Sequence, residues 1–141
     1  VEKRGEYIEA PPDFMLVISY NPGYQNLLKG LKPSTRQRFV ALTMGYPEPA
    51  IERSIVEAEG QCTPAVAARL VQLAQALRRL TEHDLEETAS TRLLVMAARL
   101  VSSGLSLRQA CHCAVIDALT DDAETIAALD EVVRAVMGDE N

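Results

Sequence analysis

The hydrophobic pattern of the chain has two regimes, and the first is strand-like. It holds two short apolar runs, FMLVIS at residues 14–19 and RFVALT at residues 38–43, set between Gly and Pro residues. An apolar run bounded by turn formers is typical of a strand buried on both faces. We therefore expect two strands here, with a helical turn around residues 27–37 between them and a hairpin about Arg4–Gly5.

The second regime is helical and follows the segment Tyr46–Pro49. Its two prolines restrict the backbone, which predicts a stiff joint between two regions. Beyond the joint, apolar residues recur at steps of three and four, and capping residues separate successive helices. The predicted helices begin at Ala50, at Thr63–Pro64, at Ser90 or Thr91, at Ser106 with Gln109, and at Asp121 with Glu124, with a polar loop at residues 83–89. The pattern predicts a small all-helical domain after a piece of a sheet-containing core.

Composition narrows the class of protein. The chain has 141 residues, a net charge of −6 and a sequence pI near 4.9, which argues against a dedicated nucleic-acid binder. The apolar runs are too short to span a bilayer, so we expect no membrane partner. Three cysteines, an odd number within apolar patterns, fit a reducing cytoplasm better than a disulfide framework. No secretory leader is expected, and the first residue, Val1, fits a processed or trimmed chain or a fragment.

One segment departs from the acidic background. Phe14–Pro47 contains no Asp or Glu and carries four basic residues, Lys29, Lys32, Arg36 and Arg38. An acid-free basic segment after a predicted strand is suited to face an anion. The chain has no G-x-x-x-x-G-K-[ST] loop to hold a phosphate by itself. We therefore expect it to be one part of a nucleotide-handling protein.

Three residues of this segment are candidates for chemistry. Asn21 follows the predicted strand at residues 14–19, where an amide can reach a phosphate or a water, although on the tripeptide Asn-Pro-Gly alone a plain turn is the better explanation. Arg36 and Arg38 can each bind a phosphate with two parallel hydrogen bonds, and an arginine from a neighbouring subunit can stabilise phosphoryl transfer. The alternative for both arginines is a solvated loop position.

Arg92 is the candidate in the helical region. It falls in the first turn of a predicted helix, where the helix dipole disfavours a cation. An anionic ligand would explain its presence. A surface salt bridge to Glu86 or Glu87 is the alternative.

Cys111, His112 and Cys113 form a triplet that suggests a metal, but the spacing argues against one. Residues two apart on a helix point in diverging directions, and the spacing matches no usual zinc pair. Cys111 fits the apolar face as a small hydrophobic residue. His83 has no serine or cysteine nucleophile near it in sequence. We therefore predict no metal site and no catalytic triad.

Three blocks together carry a family resemblance. They are FMLVISYNPGYQ at residues 14–25, LKPSTRQRF at residues 31–39 and STRL at residues 90–93. The chain resembles, over nearly its whole length, the AAA+ ATPases of the MoxR group, in the CbbQ/NirQ/NorQ branch. The resemblance implies an α/β P-loop AAA+ fragment, with residues 1–47 as the end of the αβα core, containing few strands and the hairpin of MoxR members. Residues 48–141 would form the all-helical lid domain.

The resemblance also implies roles for the candidate residues. Asn21 would be sensor 1, Arg38 the arginine finger with Arg36 as a second candidate, and Arg92 the sensor 2 residue over the nucleotide. The cofactors of the intact parent protein would be ATP and Mg²⁺. The Walker A and Walker B motifs are missing from the 141 residues, so the parent is expected to be an ATPase and this chain alone to be inactive.

The implied function is remodelling of a client enzyme. Members of this branch are expected to be cytoplasmic and to form hexameric rings. In such a homo-oligomer the arginine finger acts on the nucleotide of the neighbouring subunit. A partner that carries a von Willebrand A domain is also expected. The core blocks look closest to CbbQ members, which points to Rubisco as client; the alternative is nitric oxide reductase, the client of the NirQ/NorQ type. A non-catalytic helical interaction module and a helicase loader are the competing classes, and the acidic C-terminal helices argue against the loader.

Overall fold

The computed structural model describes Gly5 and residues 9–19, 32–81 and 88–138, with the backbone alone at Arg36 and Thr81. The chain divides into two units, Val1–Leu42 and Thr43–Asn141. Its helical elements in chain order are α1 (Pro33–Arg36), α2 (Pro49–Gly60), α3 (Pro64–Thr81), α4 (Thr91–Ser102), α5 (Leu107–Cys111), a π-helical turn (His112–Ile116), α6 (Asp117–Leu119) and α7 (Ala123–Met137). Of the hairpin predicted within residues 1–10, the structure describes Gly5, Glu9 and Ala10. Asn21 and the polar loop, except for its last two residues, lie outside the described residues.

The two strands predicted in the first regime are not formed in the structure. Residues 14–19 and 38–43 have no regular secondary structure, and their apolar side chains are exposed, Phe14 at 64% and Val40 at 91%. A strand is stable only when a neighbouring strand accepts its backbone hydrogen bonds and a packed layer covers its face. No strand occurs in residues 9–19 or 32–42, so neither segment has such a neighbour there. The αβα part of the predicted fold class is therefore absent from the described residues of the first unit.

The helical part of the predicted fold class is confirmed. In the second unit the described residues form helices α2 to α7 and contain no strand. Proline and capping residues mark where several of these helices begin. Pro49 is the first residue of α2, and Pro64 begins α3 after Thr63, whose hydroxyl accepts from the Val66 backbone N–H at 3.4 Å.

The later helices have local start signals of the same kind. Ser106 and Gln109 form the predicted capping box at the start of α5. Helix α7 begins after Asp122, not after the predicted Asp121, because the Asp122 carboxylate accepts from the Thr125 backbone N–H at 2.8 Å. Between α5 and α6 the chain makes a π-helical turn, which the sequence pattern did not indicate.

The core lies between α2, α3, α4, the π-helical turn and α7. Its largest fully buried apolar side chains are Leu70, Leu73, Leu77, Leu94, Ile116, Val56, Val115 and Val133. Gly60 of α2 lies directly against α4, where an added side-chain methyl group would overlap Ala98. Among the described residues, no helix combines the length and the apolar character that a bilayer crossing requires.

Candidate functional site

The start of α4 is held by a side chain from another helix. Ser90, the residue before the helix, is extended and makes no side-chain cap to the backbone. The Thr91 hydroxyl instead donates to the Glu52 carboxylate at 2.6 Å. The position of this helix terminus therefore depends on α2 as well as on its own sequence.

Glu52 is a buried carboxylate on α2. Its side chain is 1% exposed and accepts two parallel hydrogen bonds from Arg78, at 2.9 Å and 2.7 Å. With the Thr91 hydroxyl, this carboxylate joins α2, α3 and α4 at one point. Two parallel bonds between a guanidinium and a carboxylate are among the stronger and more directional contacts in proteins.

Arg78 makes further contacts with the segments that precede α2 and α4. Its Nε donates to the Ala89 carbonyl at 2.8 Å, and its guanidinium carbon lies 3.6 Å from the centre of the Tyr46 ring. The Tyr46 hydroxyl in turn contacts the Thr88 hydroxyl. We call Tyr46, Glu52, Arg78, Ala89 and Thr91 the Glu52 cluster. It ties the chain just before α2 to the chain just before α4.

The charges within the cluster compensate one another. Burial on its own raises the pKa of Glu52, but the hydrogen bonds from Arg78 and Thr91 and the charge of Arg78 outweigh it. The net result is a pKa of Glu52 below its ordinary value of 4.5. Glu52 is therefore a carboxylate at neutral pH, paired with a guanidinium that remains charged.

Arg92 projects from the same helix terminus but is exposed. It is the second residue of α4, directly after the anchored Thr91. Within the described residues no hydrogen bond or ion pair joins its side chain to another group. Glu86 and Glu87, its predicted alternative partners, lie outside the described residues. An exposed guanidinium on an anchored helix terminus has the chemistry to bind a phosphate group.

The other candidate residues lie in the first unit. Arg36 ends α1, and its side chain is among those not described. Arg38 is exposed in the turn that follows, with its backbone N–H bound to the Thr35 carbonyl at 3.1 Å. Asn21 lies outside the described residues. Arg36 and Arg38 thus lie in the first unit, and Arg92 lies in the second. The roles assigned to these three residues and to Asn21 remain predictions.

The Cys111–Cys113 triplet is divided between the core and the surface. Cys111 is fully buried, and burial raises the pKa of its thiol to about 12, whereas Cys113 is exposed. His112 lies 3.2 Å from the Asp117 carboxylate through Nδ1 and 3.6 Å from the Asp130 carboxylate through Nε2. Within the part of the chain that the structure describes, no three or more His, Cys, Asp or Glu side chains are placed to hold a metal ion.

The Glu52 cluster was not anticipated from the sequence, although one signal for it exists. Glu52 shares a four-residue spacing with Val56 and Gly60, and all three lie on the buried face of α2. A charged residue at an apolar position of a helical pattern indicates a buried pair. Its partners Arg78 and Thr91 are 26 and 39 residues away, beyond the reach of any local pattern.

Comparisons with known proteins agree with the resemblance seen in the sequence blocks. A family model described as CbbQ/NirQ/NorQ C-terminal matches residues 52–136. The denitrification regulatory protein NirQ of Pseudomonas aeruginosa is 60% identical over 94% of the chain, and protein NorQ of Paracoccus denitrificans is 51% identical over 98%. Protein CbbQ of Hydrogenophilus thermoluteolus is 47% identical over 92%. The matches cover 51%, 51% and 48% of those proteins, so the chain spans about half the length of these relatives.

Proposed function

Because the chain belongs to the CbbQ/NirQ/NorQ family, we propose that it is the lid-bearing part of a MoxR-type AAA+ activator. Such a protein would use ATP to remodel a client enzyme. The activity belongs to the whole protein, of which these residues would supply the nucleotide-sensing lid and the arginine-finger segment. Homo-oligomerisation as a hexameric ring, a partner with a von Willebrand A domain and a cytoplasmic location are parts of the same proposal.

The single observation that carries the proposal is the placement of Arg92. Its guanidinium is exposed at the start of α4 and forms no hydrogen bond or ion pair with any residue that the structure describes. The adjacent Thr91 is hydrogen-bonded to the buried Glu52. An exposed cation whose backbone is anchored fits a phosphate, because the binding geometry is set before the anion arrives. Arg92 would bind the nucleotide phosphates in the sensor 2 role.

The other candidate residues would have separate roles at the nucleotide phosphates. Asn21 would orient the attacking water or a γ-phosphate oxygen, and Arg38, or Arg36 in its place, would stabilise charge on the nucleotide of the neighbouring subunit. ATP, when bound, would supply the phosphoanhydride whose hydrolysis drives remodelling. In the intact protein, Mg²⁺ would be held by the nucleotide phosphates and by the Walker motifs that the 141 residues lack.

The client is proposed from the relatives. The chain is 60% identical to a protein named as a denitrification regulator and 47% identical to a CbbQ protein, so we place the NirQ/NorQ-type activation of nitric oxide reductase first. Activation of Rubisco, which the sequence blocks favoured, is the second candidate. The identity to CbbQ over 92% of the chain supports keeping it.

Substitution of Arg92 in the full-length protein tests the proposal. Arg92→Ala should weaken nucleotide binding by roughly ten- to hundredfold, the usual range for one charge-assisted hydrogen bond, as measured by titration with a fluorescent ATP analogue. Arg108→Ala is the matched control because Arg108 is also exposed and is also the second residue of its helix, α5. Unchanged affinity and turnover in the Arg92→Ala protein would refute the sensor 2 role of Arg92. A full-length wild type that neither binds nor hydrolyses ATP would favour a non-catalytic interaction module.

A further inference from the structure

Arg78 connects the segment before α2 with the start of α4, beside the direct contact between the Tyr46 and Thr88 hydroxyls. One edge of its guanidinium binds Glu52, its Nε binds the Ala89 carbonyl, and its face covers the Tyr46 ring. Ala89 and Thr91 lie on either side of Ser90, the residue that precedes α4. The turn that carries Arg92 is therefore held from both sides by one ion pair.

These contacts require a guanidinium in particular. Its planar fork can donate two parallel bonds to a carboxylate and a third bond to a carbonyl, while its face stacks on an aromatic ring. A lysine ammonium at the same place is a compact charge without a stacking face. A buried ion pair is also a poor choice for stability alone, because apolar residues of similar volume often stabilise a fold as well or better.

Tyr46 gives the cluster its connection to the predicted joint. The residue lies directly before Pro47 and three residues before the first residue of α2. Its ring is partly exposed on one side and is covered by Arg78 on the other. A change in backbone direction at this segment would shift the ring, and with it the guanidinium that holds the start of α4.

We propose that Arg78 and Tyr46 are positioning residues for Arg92, which couple the segment before α2 to the phosphate-binding end of α4. This inference rests on the proposed function, because it states how the nucleotide-sensing residue is oriented. The coupling is reciprocal: a phosphate that fixes Arg92 also fixes the Tyr46 segment. Arg78 and Tyr46 touch no nucleotide themselves.

The test compares two adjacent arginines in the full-length protein. Arg78→Lys should weaken nucleotide binding by about tenfold, within the range seen for residues that act through a neighbour. Arg79→Lys makes the same chemical change at an exposed position one residue away and should leave the affinity unchanged. The double variant Arg78→Lys/Arg92→Ala should bind little worse than Arg92→Ala alone, since Arg78 acts through Arg92. Additive losses would mean that Arg78 is merely structural, and would overturn the inference.

Tyr46 provides a second measurement that does not depend on the buried ion pair. Tyr46→Leu removes the ring under Arg78 and should reduce nucleotide affinity several-fold with only a small fall in melting temperature. Tyr46→Phe keeps the ring and should retain most of the affinity. Equal affinities for the two Tyr46 variants would overturn the inference. If Arg92→Ala weakens nucleotide binding and the Arg78 and Tyr46 variants do not, only the positioning role of Arg78 and Tyr46 is refuted. If Arg92→Ala leaves nucleotide binding unchanged, the proposed function and the positioning role are both refuted.

Discussion

Glu52 occupies a position where the helical pattern of α2 calls for an apolar side chain. Its neighbours on the same face, Val56 and Gly60, are fully buried or nearly so. A carboxylate is tolerated there because Arg78 and Thr91 donate three hydrogen bonds to it. Removing either side of such a pair leaves a buried charge without compensation. The stability of the helical unit should therefore be sensitive to this one residue.

Glu52→Gln should lower the free energy of unfolding at neutral pH by about 3–5 kcal/mol, the usual result of breaking a buried ion pair. Denaturant unfolding followed by circular dichroism measures the change. Glu59→Gln is the matched control because Glu59 pairs with Arg99 at 3.8 Å on the surface, where both side chains are more than 60% exposed. That exposed pair should contribute less than about 1 kcal/mol.

The effect of Glu52 should also depend on pH in a defined direction. The folded-state pKa of Glu52 lies below its ordinary value of 4.5, so its stabilisation is fully present above that value. It is lost as the pH falls through the lower, folded-state pKa. The difference in unfolding free energy between the wild type and Glu52→Gln should shrink below pH 4.5. A difference that stays constant down to strong acid would contradict the assigned ion pair.

At the scale of elements, the crossing of α2 and α4 depends on a glycine. The Ser102 hydroxyl reaches the Gly60 carbonyl at 3.1 Å and the Gln61 carbonyl at 2.8 Å, and Arg99 donates to the Glu59 carbonyl at 3.0 Å. These bonds satisfy carbonyl groups at the end of α2 that have no partner within the helix. They require α4 to lie against the end of α2, which only a residue without a side chain permits here.

Gly60→Ala should destabilise the chain by about 1–3 kcal/mol, because the added methyl group would overlap Ala98 and force the two helices apart. Thermal unfolding followed by far-ultraviolet circular dichroism measures the loss. Gly45→Ala is the control, since a methyl group there meets no atom within 4 Å. It should change the stability by less than about 0.5 kcal/mol. A Gly60→Ala protein as stable as the wild type would show that the two helices can separate at little cost.

The elements that sequence analysis anticipated are those whose signals are local. Thr63–Pro64 and Ser106 with Gln109 each act within one turn of helix, and both start a helix where expected. The apolar run at residues 14–19 was wrongly predicted as a strand, because a strand also needs a partner that no local pattern supplies. The first residue of α7 was misplaced by one because Asp121 and Asp122 are both suited to cap a helix. Only the hydrogen bond from the Thr125 backbone N–H identifies Asp122 as the cap.

In the candidate site, too, only the residue with a local signal was predicted from the sequence. Arg92 could be singled out because a cation in the first turn of a helix is a local anomaly. The Glu52 cluster that anchors its turn could not be found, because the contacting residues come from separate helices far apart in sequence. The sequence alone thus identified Arg92 as a candidate phosphate-binding residue, but it did not reveal the Glu52 cluster that holds the helix terminus in place.

At the scale of the whole molecule, the two units carry different parts of the proposed chemistry. Arg38, in the first unit, is proposed to act on a neighbouring subunit, and Arg92, in the second, on the nucleotide of its own subunit. A finger that acts on a neighbour requires a head-to-tail interface, which closes into a ring when the rotation permits. The two arginines should therefore complement each other between subunits.

Mixing two impaired variants of the full-length protein tests this division. Arg38→Ala should lose roughly a thousandfold in ATP turnover, as expected for a missing finger. Arg92→Ala should bind nucleotide roughly ten- to hundredfold more weakly, so it should turn over little ATP at a concentration well below its dissociation constant. In an equimolar mixed ring, a site with an intact Arg92 can receive an intact Arg38 from its neighbour, so about one quarter of the sites should regain activity. Mixing Arg38→Ala with Arg38→Ala/Arg92→Ala is the control and should restore nothing, because no subunit then carries the finger. Recovery with Arg36→Ala in place of Arg38→Ala would assign the finger to Arg36, and no recovery with either would show that these arginines do not act across a subunit interface.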